Sequence, residues 1–364
     1  MSKKFWQGKK VFITGHTGFK GSWLSIWLNH LGAEVYGYSL PPPTECNLFD
    51  IAKIGDITKS YFADIRNLEN LKESLQECEP EIIFHLAAQP IVRNSYKTPI
   101  ETFSTNIMGT ANVLEAIRDF NSVKSAVIIT SDKCYKNNEW LWGYKEADPL
   151  GGYDPYSSSK ACAELITSSY RNSFFNVNNS DSHLAKIASA RAGNVIGGGD
   201  WADDRLIPDI IKSIQKNNVL NIRNPDAIRP WQHVLEPLNG YMLLAEKLYF
   251  QDISFAEAWN FGPSESNVRS VRSLVELFSG LWGEEFNYNF ESQITSSHEA
   301  TYLKLDSSKA NFLLYWNPKW SFEETIKRSI LWYKAFIRGD NMYGHSINEI
   351  QDYERTLELV RGAK

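Results

Sequence analysis

Seven residues, Gly15-His16-Thr17-Gly18-Phe19-Lys20-Gly21, constrain the fold of this chain more than any other stretch. They follow a short apolar run, Lys10–Thr14, and open an amphipathic one, Ser22–His30, so strand, tight turn and helix come in direct succession. A GxxGxxG spacing at that junction lets backbone approach an anionic group closely, and the helix start offers it free N–H groups. In this setting the loop points to a dinucleotide, with Gly15, Thr17, Gly18, Phe19 and Gly21 as its contacts. Glycines needed only for a tight turn would look the same, so the strand–turn–helix setting carries the reading.

The rhythm continues beyond the loop. Gly32 stops the first helix and Glu34–Tyr38 reads as a second strand. Tyr61–Phe62 leads to Asp64, and a helix follows near Leu68–Glu77. Glu81–Leu86 is another apolar strand, Ile100–Phe120 a long helix, and Ser125–Thr130 and Ala185–Ala190 further buried strands. Strands separated by helices at this spacing predict an α/β fold, a doubly wound parallel Rossmann sheet. After Asn194 the rhythm breaks into loops marked by Gly197–Gly199, Pro208, Asn221–Pro230 and Pro237. Residues 1–193 are expected to form the dinucleotide-binding domain, with the chain returning to it at about 235–262. Residues 194–364 are expected mainly in a smaller α/β substrate lobe.

With 364 residues, 43% of them hydrophobic and 22% charged, the chain can bury two such lobes. The net charge of -5, with Lys and Arg scattered, argues against a nucleic-acid partner. The longest apolar runs are of strand length and no leader pattern opens the sequence, so no membrane span is expected and a cytoplasmic location is. Cys46, Cys78, Cys134 and Cys162 form no CxxC pair, which fits free thiols and no metal site.

The cofactor type is left open by the residues. NAD binding usually places an acid about 20 residues beyond the loop to hold the ribose. Here Val35-Tyr36-Gly37-Tyr38-Ser39-Leu40 has none; Ser39 and Thr44 could substitute, Lys20 is the nearest charge, and NADP is not excluded. Asp64 and Ile65, after the next strand, could reach an adenine, although Asp64 could equally cap a helix.

Asp154-Pro155-Tyr156-Ser157-Ser158-Ser159-Lys160 reads as a helix start, with Asp154 as cap and Pro155 in the first turn. Tyr156 and Lys160 then share one face. An ammonium beside a phenol favours the phenolate, which suits a tyrosine that accepts a hydroxyl proton during hydride transfer. Ser131 ends a buried strand, where ligands of such sheets bind, and would hold the substrate oxygen.

Taken together, the glycine loop, His85-Leu86-Ala87-Ala88, Asn106 with Gly109-Thr110, Ser131 and Tyr156-xxx-Lys160 resemble the extended short-chain dehydrogenase/reductases, the NAD-dependent epimerase/dehydratase family. Within it the chain is similar to the CDP-glucose 4,6-dehydratases, on GHTGFKGSWL, SDKCY, LGGYDPYSSSKACAEL, RAGNVIGGGDW and RPWQHVLEPL. The sharpest marker is Lys133 after Ser131-Asp132, where TDP-glucose and GDP-mannose dehydratases carry Glu. The resemblance implies NAD as cofactor, CDP-glucose as substrate and an internal transfer of hydride from C4 to C6 with loss of water across C5–C6. It implies Leu86, Ala87, Ala88 and Asn106 at the cofactor. Lys160 would position the ribose and lower the Tyr156 pKa, Asp132 protonate the leaving hydroxyl, and Lys133 remove the C5 proton. Burial is expected to keep Lys133 neutral and Asp132 protonated.

Family position also suggests Asn194 at the sugar diphosphate; Arg205 and Arg229 are candidate partners of it, with a surface role as the alternative, and His233 is a substrate candidate for which plain packing is the commoner reading. Two arginines of the TDP-glucose enzymes have no counterpart in Ser296–Tyr302. Trp140 and Trp142 read as packing rather than a roof over the sugar. A homodimer through a four-helix interface of helices 100–120 and 155 onward is expected, with a tetramer left open. Other readings are another nucleotide-sugar dehydratase, an epimerase, or a non-catalytic dinucleotide sensor; Asp132-Lys133 argues against the epimerase, and the intact Ser131, Tyr156 and Lys160 against the sensor.

Overall fold

The structure is a computed structural model that describes residues 3–176, 183–250, 253–283, 286–291 and 302–362. Seven strands form one parallel sheet: β1 (Lys10–Thr14), β2 (Glu34–Ser39), β3 (Lys59–Phe62), β4 (Ile82–His85), β5 (Ser125–Ile129), β6 (Lys186–Arg191) and β7 (Ala258–Asn260). Their order is β7-β6-β5-β4-β1-β2-β3, with the direction of winding reversing between β1 and β4. Ligands bind such sheets at the carboxyl ends of the strands around that reversal.

Side-chain alternation explains the two covered faces. Val11 and Ile13 of β1, Ile82 and Phe84 of β4, and Val127 and Ile129 of β5 enter one core with Trp23 and Trp27. Their neighbours Phe12, Ile83, Ala126 and Ile128 enter the other, with Leu71, Leu75, Val113 and Leu114. Strands buried on both sides read as continuous apolar runs, as these do. The expected long helix runs from Pro99 to Arg118, interrupted by a π-helical stretch at Ser104–Met108. Helix Leu235–Tyr249 packs on β5 and β6, and the chain then supplies edge strand β7 beside β6.

Over the carboxyl ends sits a smaller group of elements. Strand Leu220–Ile222 pairs with Tyr288–Phe290, Ile228–Pro230 pairs antiparallel with Val268–Ser270, and Val195–Ile196 pairs with Gln232–His233. The C-terminal helix Met342–Gly362 returns to the sheet and packs on helix Phe19–His30, where Trp27 Nε1 donates to Glu354 Oε1 at 2.9 Å. No helix among the described residues is long and apolar enough to cross a membrane. All four cysteines are free.

Candidate active site

A cleft of about 1290 Å³ lies between the strand ends and the smaller elements. That exceeds the usual range of roughly 300–1,000 Å³ for one small ligand, so it has room for two. Its floor begins at the glycine loop. Gly15 has φ +78°, and a Cβ there would lie 2.7 Å from the Ala87 amide nitrogen. At Gly21 a Cβ would come within 2.1 Å of the Gly15 carbonyl oxygen. Both positions therefore exclude side chains, and the loop lies flat against the segment after β4. Gly18 precedes helix Phe19–His30 without a side-chain cap, leaving first-turn N–H groups for an anion. Thr17 Oγ1 bonds the Ser39 hydroxyl at 2.8 Å and donates to the Leu40 carbonyl at 3.0 Å, tying the loop to the end of β2.

Gly15, Thr17, Gly18, Phe19, Gly21, Asp64, Ile65, Leu86, Ala87 and Ala88 all line the cleft. This Cβ-free cradle at an uncapped helix start fits a dinucleotide pyrophosphate. Asp64 is not a helix cap: Asn67 caps helix Leu68–Cys78, while the Asp64 carboxylate accepts from the Arg66 amide at 2.8 Å and pairs with its guanidinium. Asn106 does not line the cleft. It lies buried in the π-helical stretch, where Oδ1 accepts from the Gln89 amide and Nδ2 donates to the Gln89 carbonyl and Ser159 Oγ. Its place is behind the wall, clamping the 88–90 segment to the helix that carries Tyr156.

Ser131, Asp132, Lys133, Tyr156 and Lys160 meet at the carboxyl end of β5. Ser131 caps the short turn Asp132–Cys134, accepting from the Lys133 amide at 3.2 Å while its hydroxyl donates to Asp132 Oδ1 at 2.9 Å. Asp132 is 1% exposed and its Oδ2 has no partner among the described residues. Only glycine fits opposite it: a Cβ on Gly193 would stand 2.0 Å from that oxygen. Lys133 Nζ lies 3.8 Å from Asp132 Oδ1 with a third of its side chain exposed. The expected burial of Lys133 is thus not supplied by the protein, because it follows the strand end and points into an open cleft.

Helix Pro155–Ser173 begins as the sequence predicts, with Asp154 accepting from the Ser157 amide at 2.9 Å. The expected lowering of the Tyr156 pKa is reversed. Burial pushes the phenol up to about 12, with the Ser131 hydrogen bond and Arg205 pulling the other way. Lys160, one turn on, donates to the Ile129 carbonyl at 3.3 Å, and burial brings it down to about 8 against the pull of Glu164. Desolvation outweighs the favourable pairing that helical spacing suggests.

Asn194 lines the cleft at φ +47°, with a buried side-chain nitrogen that has no partner among the described residues. Arg205 also lines it, 2.7 Å from Asp200 Oδ2, as does Arg229, which donates to the Ile228 carbonyl at 2.9 Å. His233 does not. It is fully buried behind Gly197, 2.9 Å from Glu349 and packed between Trp23 and Trp320. Trp140 and Trp142 stack on each other and line no part of the cleft. All of Ser296–Tyr302 except Tyr302 lies outside the described residues.

A family model described as GDP-mannose 4,6 dehydratase matches residues 12–329. The chain belongs to this dehydratase family. It is 54% identical to the CDP-glucose 4,6-dehydratase of Salmonella typhimurium strain LT2, over 97% of this chain and 98% of the relative. It is 26% identical to the dTDP-glucose 4,6-dehydratase of Shigella flexneri, over 90% and 93%. Among solved structures, the dTDP-glucose 4,6-dehydratase of Bacillus anthracis in complex with NAD superposes with a TM-score of 0.75 at 22% identity, covering 92% of this chain and 100% of that chain. The last likeness shows a shared fold, the parallel sheet described above.

Against that family background, Lys20, read from the sequence only as the charge nearest the cofactor loop, takes a further place. It sits inside the glycine loop yet lines the catalytic end of the cleft. Burial, Arg205 and Lys160 bring its pKa down to about 7, against Asp132 and Asp200. A lone cation within the glycine loop was its only signal. Among the described residues no group of three or more His, Cys, Asp or Glu is placed to hold a metal ion.

Proposed function

We propose that the protein is a lyase converting CDP-D-glucose to CDP-4-dehydro-6-deoxy-D-glucose and water. The observation that carries the reading is the buried Asp132 carboxylate, its Oδ2 unpartnered beside Lys133, at the strand end that also presents Ser131 and Tyr156. The 54% identity to a CDP-glucose 4,6-dehydratase supports the nucleotide. NAD would be held by the glycine loop, Asp64 and Lys160, and would supply the hydride chemistry, as acceptor of a hydride at C4 and donor of it at C6.

The remaining work falls to the chain. Ser131 orients the C4 oxygen, and Tyr156 takes its proton. Burial opposes the phenolate this needs; Ser131 and Arg205 favour it. The C4 ketone acidifies C5–H, Lys133 is the base that removes that proton, and Asp132 delivers a proton to the C6 oxygen, which leaves as water. Lys133 returns its proton to C5 as C6 is reduced. Tyr156 then holds one proton too many and Asp132 one too few. Ser131, which donates to Asp132 Oδ1 and lowers the Tyr156 pKa from the other side, is the relay that restores them.

Asn194, Arg205 and Arg229 are placed to hold the diphosphate, guanidinium groups pairing with its oxygens. In this reading residues 1–193, with the return at 235–262, serve the cofactor, and 194–364 mainly the substrate. Exposed Tyr96, Ile100, Met108 and Leu165 on the cleft-flanking helices fit a homodimer through a four-helix interface, in the cytoplasm.

The test is a dehydratase assay on CDP-glucose, TDP-glucose, UDP-glucose and GDP-mannose with NAD or NADP, reading the alkali-induced absorbance of 4-keto-6-deoxy sugars. Turnover of CDP-glucose with NAD is expected. Turnover of another sugar nucleotide in its place would keep the chemistry and remove the substrate, and no turnover would remove both.

A further inference from the structure

Three charged side chains converge across the cleft away from the reacting groups. Arg93 comes from helix Val92–Lys97 after β4, Asp204 from the loop before helix Leu206–Lys216, and Arg223 from the end of strand Leu220–Ile222. All three line the cleft. Arg93 Nη1 lies 3.1 Å from Asp204 Oδ1, and Arg223 Nη2 lies 3.4 Å from the same oxygen. The bridge thus joins one wall to the other. Asp204 has φ +58°, a conformation unusual for a residue with a side chain and held here between two cations. The bridge makes no hydrogen bond or ion pair to Ser131, Asp132, Lys133, Tyr156 or Lys160, the groups that meet at the end of β5.

Its hydrogen-bonding capacity is only partly used. Both guanidinium groups donate to Oδ1, and Asp204 Oδ2 takes no hydrogen bond from the described residues. Arg223 uses one nitrogen of its fork. An acceptor oxygen therefore stands beside several unused N–H donors, each side chain about a third exposed. That alternation is complementary to one pyrimidine edge. Cytosine presents an amino donor at N4, then acceptors at N3 and O2. Carboxylates accept from the cytosine amino group, and a guanidinium fork matches adjacent acceptors. Uracil and thymine present the reverse at the first two positions: O4 would face the carboxylate and N3–H the guanidinium. Mismatched polar groups in a closed site cost more than matched ones gain.

We propose that Asp204 and Arg223 read the cytosine edge of the substrate nucleotide, with Arg93 as the positioning residue that holds the Asp204 carboxylate across the cleft. The proposal rests on the CDP-glucose reading and adds the residues that select the base. Neither residue touches the reacting atoms, so their loss falls on KM and on discrimination between nucleotides rather than on the chemical step.

The experiment measures kcat and KM for CDP-glucose and UDP-glucose with the wild-type protein, Arg223→Met and Asp204→Asn, each with NAD. Removing the fork should raise KM for CDP-glucose by about 5- to 150-fold, the range of one bidentate base contact. Asp204→Asn offers an amide that can face O4 with its N–H, so the ratio of kcat/KM for CDP-glucose over UDP-glucose should fall by at least about tenfold. Thermal melting checks that each variant folds, and either variant alone suffices. Wild-type preference for CDP-glucose with the same ratio and KM in a folded variant overturns the base-reading role and leaves the dehydratase reading standing. A wild-type protein that does not convert CDP-glucose overturns both.

Discussion

Glu164→Gln is a sharp test of how the catalytic helix is held. Glu164 lies one turn beyond Lys160 and is 3% exposed. Its carboxylate accepts from Thr130 Oγ1, from Ser189 Oγ at 2.7 Å and from Arg191 Nη2 at 2.8 Å. Arg191, also 3% exposed, donates in turn to the Tyr135 hydroxyl and the Glu146 carbonyl. Glutamine keeps the shape but leaves the guanidinium as an uncompensated buried charge. Removing one partner of a buried pair costs about 3–5 kcal/mol. At roughly 2–4 °C per kcal/mol for a large domain, the melting temperature should drop by about 10 °C. Calorimetry or circular dichroism of the full chain reads that drop. The double variant Glu164→Met with Arg191→Met should recover part of it, since neither charge then remains buried. Function should move as well. The Glu164 carboxylate is the main group holding the Lys160 pKa up against burial, so its loss lowers a value already brought down to about 8. Lys160 then loses its charge at lower pH, and the alkaline limb of kcat/KM should shift downward. A melting point within about 2 °C of wild type, or an unmoved alkaline limb, would refute the reasoning.

Lys133→Met should abolish elimination while substrate still produces the absorbance of reduced nicotinamide; loss of both signals would defeat the separate roles of Lys133 and Tyr156. Gly193→Ala should cut kcat by about 10²-fold or more and lower the melting temperature by several degrees, because its methyl group claims the space of the buried Asp132 carboxylate. A variant with near wild-type kcat would show that Asp132 does not need its observed position. The third expectation concerns acid. Burial brings His16 down to about 4 in the folded chain, from 6.5 unfolded. Between those values the unfolded chain binds the extra proton, so stability falls as pH drops through 6.5 and levels out below about 4. This histidine should account for about 3 kcal/mol of that loss, at 1.36 kcal/mol per pH unit. Urea titrations at pH 7 and pH 4 should therefore show a smaller difference for His16→Asn, and equal differences would discount the burial argument.

What the sequence disclosed and what it withheld divide along a physical line. The glycine loop, the cap at Asp154 and the strand end at Ser131 are local: each depends on residues within a turn of one another, and each stands where spacing puts it. The pKa of Tyr156 is not local. Helical spacing sets it on the face of Lys160, but the desolvation that outweighs any pairing comes from the packing of distant segments. Asn106 shows the same limit: its partners Gln89 and Ser159 lie 17 and 53 residues away. His233 is packed rather than facing the cleft for a sharper reason. Strand alternation would carry the cleft-facing side from Arg229 through Trp231 to His233. Both Arg229 and Trp231 do line the cleft. Between Pro230 and Gln232, however, the chain changes partner, from the antiparallel strand Val268–Ser270 to the parallel strand Val195–Ile196. Parity is a property of one continuous ladder, so it does not survive the exchange, and His233 turns inward to Glu349 on the C-terminal helix. Lys20 is the converse case. The loop's spacing predicts backbone contacts only, and the lysine becomes part of the site because Asp132 from one segment and Asp200 and Arg205 from another arrive to surround it.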